Sequence, residues 1–139
     1  MKWRIVRRRK RRRNSSITVH YTAHKESARK LVHEKLQYWN QFYNFSYKRV
    51  SIRNTRTCWG SCTSLKNLNF SYRVLFLPPS LQDYIIVHEL CHLEQLNHSQ
   101  AFWDLVAIQL PEHKALRSEL KSIELQGSRA LGSGAGLKR

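Results

Sequence analysis

Residues 88–98 read His-Glu-Leu-Cys-His-Leu-Glu-Gln-Leu-Asn-His, three histidines and a carboxylate at spacings with one obvious chemical use. On a helix, His88 and His92 lie four residues apart on one face, so both imidazoles reach one tetrahedral ion. Glu89 beside them suits a general base that takes a proton from a metal-bound water, a role requiring a carboxylate next to the ion and not coordinated to it. His98, six residues after His92, is the expected third ligand. The metal expected from these donors is Zn2+, with the fourth position left open as a catalytic site requires.

A His-Glu-x-x-His pattern also arises by chance on exposed amphipathic helices, where its side chains are simply solvated. The surrounding sequence argues otherwise. Leu81, Ile85, Ile86, Val87, Leu90, Leu93 and Leu96 make this segment apolar almost all round, the pattern of a buried helix. Burying Glu89 there is costly unless the carboxylate is paired or used.

The elements that must position these residues follow from periodicity and punctuation. Residues 17–21 suggest a short strand, and 25–42 an amphipathic helix through Ala28, Leu31, Val32, Leu36, Trp39 and Phe42, broken at Asn44. Alternation at 48–53 predicts a half-buried strand; 57–64 reads as a turn region around Trp59 and Gly60; 69–77 predicts a second strand, ended by Pro78-Pro79. Ser80 with Asp83 three residues on suggests a capping box opening the metal helix. Asn97-His98-Ser99 is a natural break that swings His98 back toward the ion, with Ser99 capping a helix over 100–110. A polar-faced helix is expected over 112–125. The fold class is α+β, with a small antiparallel sheet packed on the buried His-Glu-x-x-His helix and flanking helices. The boundaries are a basic disordered tail at 1–16, the domain at 17–126, and a Gly/Ser-rich disordered tail at 127–139.

Composition bounds the function. The 139 residues have room for one modest core. The formal charge of +16 is unusual, but nine basic residues fall within the first 13 positions. Arg7 to Arg13 is an unbroken basic run that a folded core cannot bury, suited to non-specific contact with nucleic acid, contact with an anionic membrane, or solubility alone. No apolar run approaches the ~20 residues that span a bilayer, and the first residues are too short for a signal-peptide core. A cytoplasmic, monomeric protein is expected. Cys58, Cys62 and Cys91 are an odd number, read as free, half-buried thiols with Cys91 directed away from the histidine face.

Several linked motifs in order then resemble the YgjP-like family of small zinc-dependent hydrolases, described as metallopeptidase-like and related to SprT-like proteases. They are residues 24–29 of the first helix, Cys58-Trp59-Gly60-Ser61-Cys62, Asn67-Leu68-Asn69-Phe70, Leu77-Pro78-Pro79, the stretch from Val87 to His92, and Asn97-His98-Ser99 with Phe102-Trp103. The resemblance implies a minimal zincin-like domain, zinc ligands at His88, His92 and His98, and a catalytic residue at Glu89. Two departures stand out. Members usually carry an arginine where this chain has Cys58, and a longer β-rich region before the first helix.

Three functions follow. The first is a zinc-dependent metallopeptidase-like hydrolase acting on a peptide or protein, aligned along a strand edge such as 48–55, with Arg49, Arg53 and Arg56 flanking the cleft. The second, to which the resemblance also points, is zinc-dependent pyrophosphatase action on a nucleoside triphosphate, although no Gly-rich phosphate loop or magnesium-binding carboxylate cluster is present. The third is a nucleic-acid-binding module with a structural zinc, which gives Glu89 no purpose. Tyr72 and Tyr84 read as core residues, and Glu112 as a weaker third ligand than His98.

Overall fold

The helix that carries the histidines is the one that everything else packs around. In the computed structural model, which describes residues 15–131, with side chains for 16–126, this helix, α2, spans Pro79–His92. Its sequence is apolar on every side, and eleven of its fourteen residues are buried. That is possible only because α1 (Ser15–Tyr43), α3 (Gln100–Gln109), α4 (His113–Leu131) and strand β2 (Gly60–Cys62) all contact it.

The α+β class expected from the sequence is observed, with four helices and one three-stranded sheet of order β1-β3-β2. β1 is Arg49–Arg53 and β3 is Asn67–Ser71. The sheet is mixed, which corrects the all-antiparallel expectation. β2 pairs antiparallel with β3, Ser61 opposite Asn69, while β1 runs parallel to β3, Ser51 opposite Asn69. The cause is β2 itself, hidden in the stretch read as turn because Gly60 and Ser61 are poor strand formers. β2 forms a hairpin with β3 through a tight turn closed by Lys66 N–H to Thr63 C=O at 3.0 Å, with Lys66 at φ 63°. That hairpin takes one side of β3 and leaves β1 the other, in the parallel sense.

Three further expectations are corrected. Residues 17–21 form the opening turns of α1, not a strand. Ile17, Tyr21, His24, Ala28 and Val32 continue one helical stripe, which a five-residue segment with three β-branched residues could not reveal. The second strand stops at Ser71, whose hydroxyl accepts from Arg73 N–H at 3.3 Å and starts a 3₁₀ turn over Tyr72–Phe76; Tyr72 and Val74 stay buried within it. The Ser80 capping box does not form. Pro78 is the N-cap, Pro79 occupies the first helical position where a missing N–H costs nothing, and no side chain caps the end. Asp83 instead accepts from Lys35 Nζ at 2.6 Å and Trp39 Nε1 at 3.1 Å, fastening α2 to α1.

Other signals held. Asn44 takes φ 57° as α1 ends, and Asn40 brackets the turn by bonding both the N–H and the C=O of Phe45 at 2.9 Å. Ser99 is the N-cap of α3, accepting from Phe102 N–H. α1 begins at Ser15 and α4 runs to Leu131. The run Arg7 to Arg13 and residues 132–139 lie outside the described residues. Among the described residues, no helix is long and apolar enough to cross a membrane.

The corrected role of Asp83 is measurable. Asp83→Ala should lower the unfolding free energy by about 1–3 kcal/mol, the usual loss of a partly buried charged hydrogen-bond acceptor. Ser80→Ala should change it by less than about 0.5 kcal/mol, as for a surface position without a special contact. Urea unfolding of the two variants checks both; a loss at Ser80 comparable to that at Asp83 would restore the capping box.

Candidate metal centre

Helix geometry brings His88 and His92 onto one side of α2, one turn apart, with Nε2 atoms 3.0 Å from each other. The chain then turns. Leu93 caps the helix, Gln95 N–H bonds back to Cys91 C=O at 3.0 Å, and the segment to Ser99 reverses direction. This places His98 Nε2 3.1 Å from that of His92 and 3.3 Å from that of His88. The three sequence-predicted ligands therefore meet at one point, the only such cluster of three among the described residues.

The triangle can be tested against a metal. With zinc–nitrogen distances of ~2.0–2.1 Å, tetrahedral angles put ligand nitrogens about 3.3–3.4 Å apart. The observed sides, 3.0 to 3.3 Å, match that spacing slightly contracted. The proton positions agree. His92 Nδ1 lies 2.9 Å from Gln95 C=O, which can only accept, so Nδ1 carries the proton and Nε2 presents its lone pair to the centre. Phe102 stacks on His92 at 4.4 Å between centroids, and Trp103 lies nearly parallel to His98 at 5.9 Å, holding both rings in orientation. His88 is buried and His98 exposed, so the centre is anchored in the core and open to solvent on one side.

Glu89 is 1% exposed and faces β2. Contact is so close that a Cβ on Gly60 would stand 3.0 Å from Glu89 Cγ, 3.2 Å from Oε1 and 3.1 Å from Asn69 C=O. Gly60 of the Trp-Gly-Ser-Cys motif therefore leaves room for the glutamate. Cys62, on the same strand, has its thiol pushed up to about 11 by burial and then by the Glu89 charge. Cys91 lies on another face of α2 against Tyr43, as expected, its thiol raised to about 12 by burial. All three cysteines are free.

The structure also sorts the remaining candidates. Tyr72 belongs to an aromatic cluster at the start of α1, with His20 Nδ1 2.8 Å from its hydroxyl. Tyr84 is a core residue too, but it lines the cavity beside His88. Glu112 is exposed and is not part of the metal cluster. Arg49, Arg53 and Arg56 are exposed, and none lines the cavity at the histidines; the cations there are Arg117 and Lys121 of α4. Sequence reasoning missed these two. Their i, i+4 spacing was legible, but nothing in it showed that α4 covers the centre. Trp103 explains how it does, with His113 stacked on it at 5.2 Å and the Arg117 guanidinium over it at 5.3 Å. Trp59 Nε1, donating to Glu124 Oε1 at 2.8 Å, ties α4 to the Trp-Gly-Ser-Cys segment.

This arrangement agrees with what the chain is similar to. Its fold is similar to the crystal structure of the metallopeptidase zymogen of Pyrococcus abyssi abylysin, with a TM-score of 0.60, 24% sequence identity, and coverage of 66% of this chain and 92% of that one. No curated protein matches the sequence. The sequence profile of the family described as YgjP-like, metallopeptidase domain, matches residues 2–123. That match takes in the first helix, the sheet, the Trp-Gly-Ser-Cys segment and all three converging histidines, and on this basis the chain belongs to the YgjP-like metallopeptidase domain family.

Proposed function

We propose that the protein is a zinc-dependent hydrolase of peptide bonds, with the metal held by Nε2 of His88, His92 and His98 and with Glu89 as general base. The observation that carries this reading is the convergence of the three nitrogens, at 3.0–3.3 Å, beside a buried glutamate in the next position of the same helix. Zinc held by these three nitrogens would supply Lewis-acid chemistry, making water acidic enough to lose a proton near pH ~7 and polarising a carbonyl.

The chain's own residues do the rest. Glu89 accepts the proton of the attacking water at its carboxylate and returns it to the leaving amide nitrogen as the bond breaks. Gly60 sets where that carboxylate stands. Gln95 C=O fixes the tautomer of His92, and Phe102 and Trp103 hold the rings against rotation. A peptide aligns by strand addition. The edge suited to it is β2, which lies next to Glu89, and not the 48–55 segment, since β1 is the opposite edge of the sheet. Tyr21 also reaches β1, its hydroxyl donating to Ile52 C=O at 3.1 Å. A structural zinc in a nucleic-acid-binding module would leave a buried glutamate without a task, at the cost of burying it.

Glu89→Gln should retain about one zinc per chain and lower kcat by about 10²–10⁴-fold, the usual contribution of a general acid–base; unchanged hydrolysis would end the assignment. His98→Ala, purified without added metal, should lose zinc by elemental analysis, whereas Glu112→Ala should keep it. The reverse pattern would make Glu112 the third ligand. Gly60→Ala should keep zinc but lose about tenfold or more in kcat, because the glutamate must give way by a fraction of an ångström. Full activity in that variant would show that the close packing against Gly60 does not position Glu89.

A further inference from the structure

A cavity of about 240 Å³ opens beside the metal centre, with His88 and His98 on one side and α4 on the other. Under the peptide-hydrolase reading, a substrate side chain entering it would belong to a residue at or next to the bond being broken. Its walls are partly apolar, through Trp103 and Leu120, and its charged groups are Arg117, Lys121 and Glu124.

Arg117 and Lys121 stand four residues apart on α4 and both line this space. Among the described residues, neither is in an ion pair; Arg29–Glu26 and Lys35–Asp83 lie elsewhere. The Arg117 guanidinium lies over the Trp103 ring at 5.3 Å, a placement that fixes the group while leaving its in-plane N–H fork for a planar anion. Glu124, whose Oε1 accepts from the Trp59 indole N–H at 2.8 Å, lines the same space and offsets only one of the two charges. Two cations and one carboxylate leave one positive charge to be matched.

We propose that this cavity is the subsite for an acidic side chain of a peptide substrate, with Arg117 and Lys121 selecting its carboxylate. The proposal rests on the peptide-hydrolase reading above. Size supports a single side chain, since pockets that enclose a whole small molecule run from ~300 Å³ upward. A nucleoside triphosphate brings several negative charges and a base, more than this space and its net charge accommodate. Trp103 and Leu120 suit the methylenes of a glutamate, and the overall charge of +16 draws acidic partners toward the protein.

The test uses the full chain, zinc-loaded and carrying Glu89→Gln, so that binding is read without turnover. Calorimetry compares an end-blocked alanine pentapeptide with a central glutamate against its glutamine counterpart. The glutamate peptide should bind about tenfold more tightly, as a charge-assisted bidentate contact predicts. That advantage should vanish with Arg117→Gln and Lys121→Gln together, and reverse with Lys121→Glu. Arg117 is half-buried and Lys121 exposed, and thermal melts of the variants establish that they fold. Equal binding of the two peptides overturns the proposal. So does an advantage that survives the double variant, which would mean that the carboxylate binds the metal directly. A nucleoside triphosphate held more tightly through the same two residues would also overturn it. Cleavage by the wild-type chain separates the two readings. Hydrolysis with no acidic preference would reject the subsite alone, while a glutamate preference in binding with no peptide cleaved would reject the peptidase reading alone.

Discussion

Everything in this fold depends on burying a helix that is not wholly apolar. His88 and Glu89 are as inaccessible as the isoleucines that precede them, and an ionisable group in a dry interior is tolerated only where its surroundings hold it. The domain meets that demand by enclosing α2 on every side while leaving one solvent-facing edge, at His98, where the imidazoles converge. The same enclosure that stabilises the fold gives the metal centre its rigidity. Three ring nitrogens brought within 3.3 Å of one another need fixed backbones behind them, since the long spacing from His92 to His98 would otherwise let the third ring wander.

The supporting contacts lie outside the zinc signature itself. Gln95 contributes only its carbonyl, yet that carbonyl decides which nitrogen of His92 faces the other two histidines. Gly60 contributes only the absence of a side chain, which lets the sheet approach Glu89. Trp103 is gripped from α4 by His113 and Arg117 and lies along His98, so α4, the sheet and the metal helix share one aromatic junction. The hydrogen bond from Trp59 to Glu124 closes that junction from the sheet side. Fold and site are here one set of contacts.

Where sequence reasoning failed, it did so for local reasons. β2 is three residues long and contains glycine and serine; it is a strand because β3 lies beside it, not because of its own preference. The first turns of α1 look β-prone in isolation, and packing of Tyr21 and His20 against the sheet and Tyr72 overrides that. Asp83 has the spacing of a capping residue but finds a cation and an indole on α1, a stronger set of partners than a single backbone N–H.

The sequence by itself determined the spacing of the three histidines that converge and the burial of the helix that carries two of them. Spacing of four along a helix and a turn-forming Asn-His-Ser are local properties, written in consecutive residues, and a helix apolar on all faces has only the interior to go to. Tertiary structure alone decided the parallel pairing of β1, the strand that meets Glu89, and the cations that face the centre. Each of these depends on which distant segments become neighbours, and Arg117 reads as a solvated helix residue until α4 is folded across Trp103.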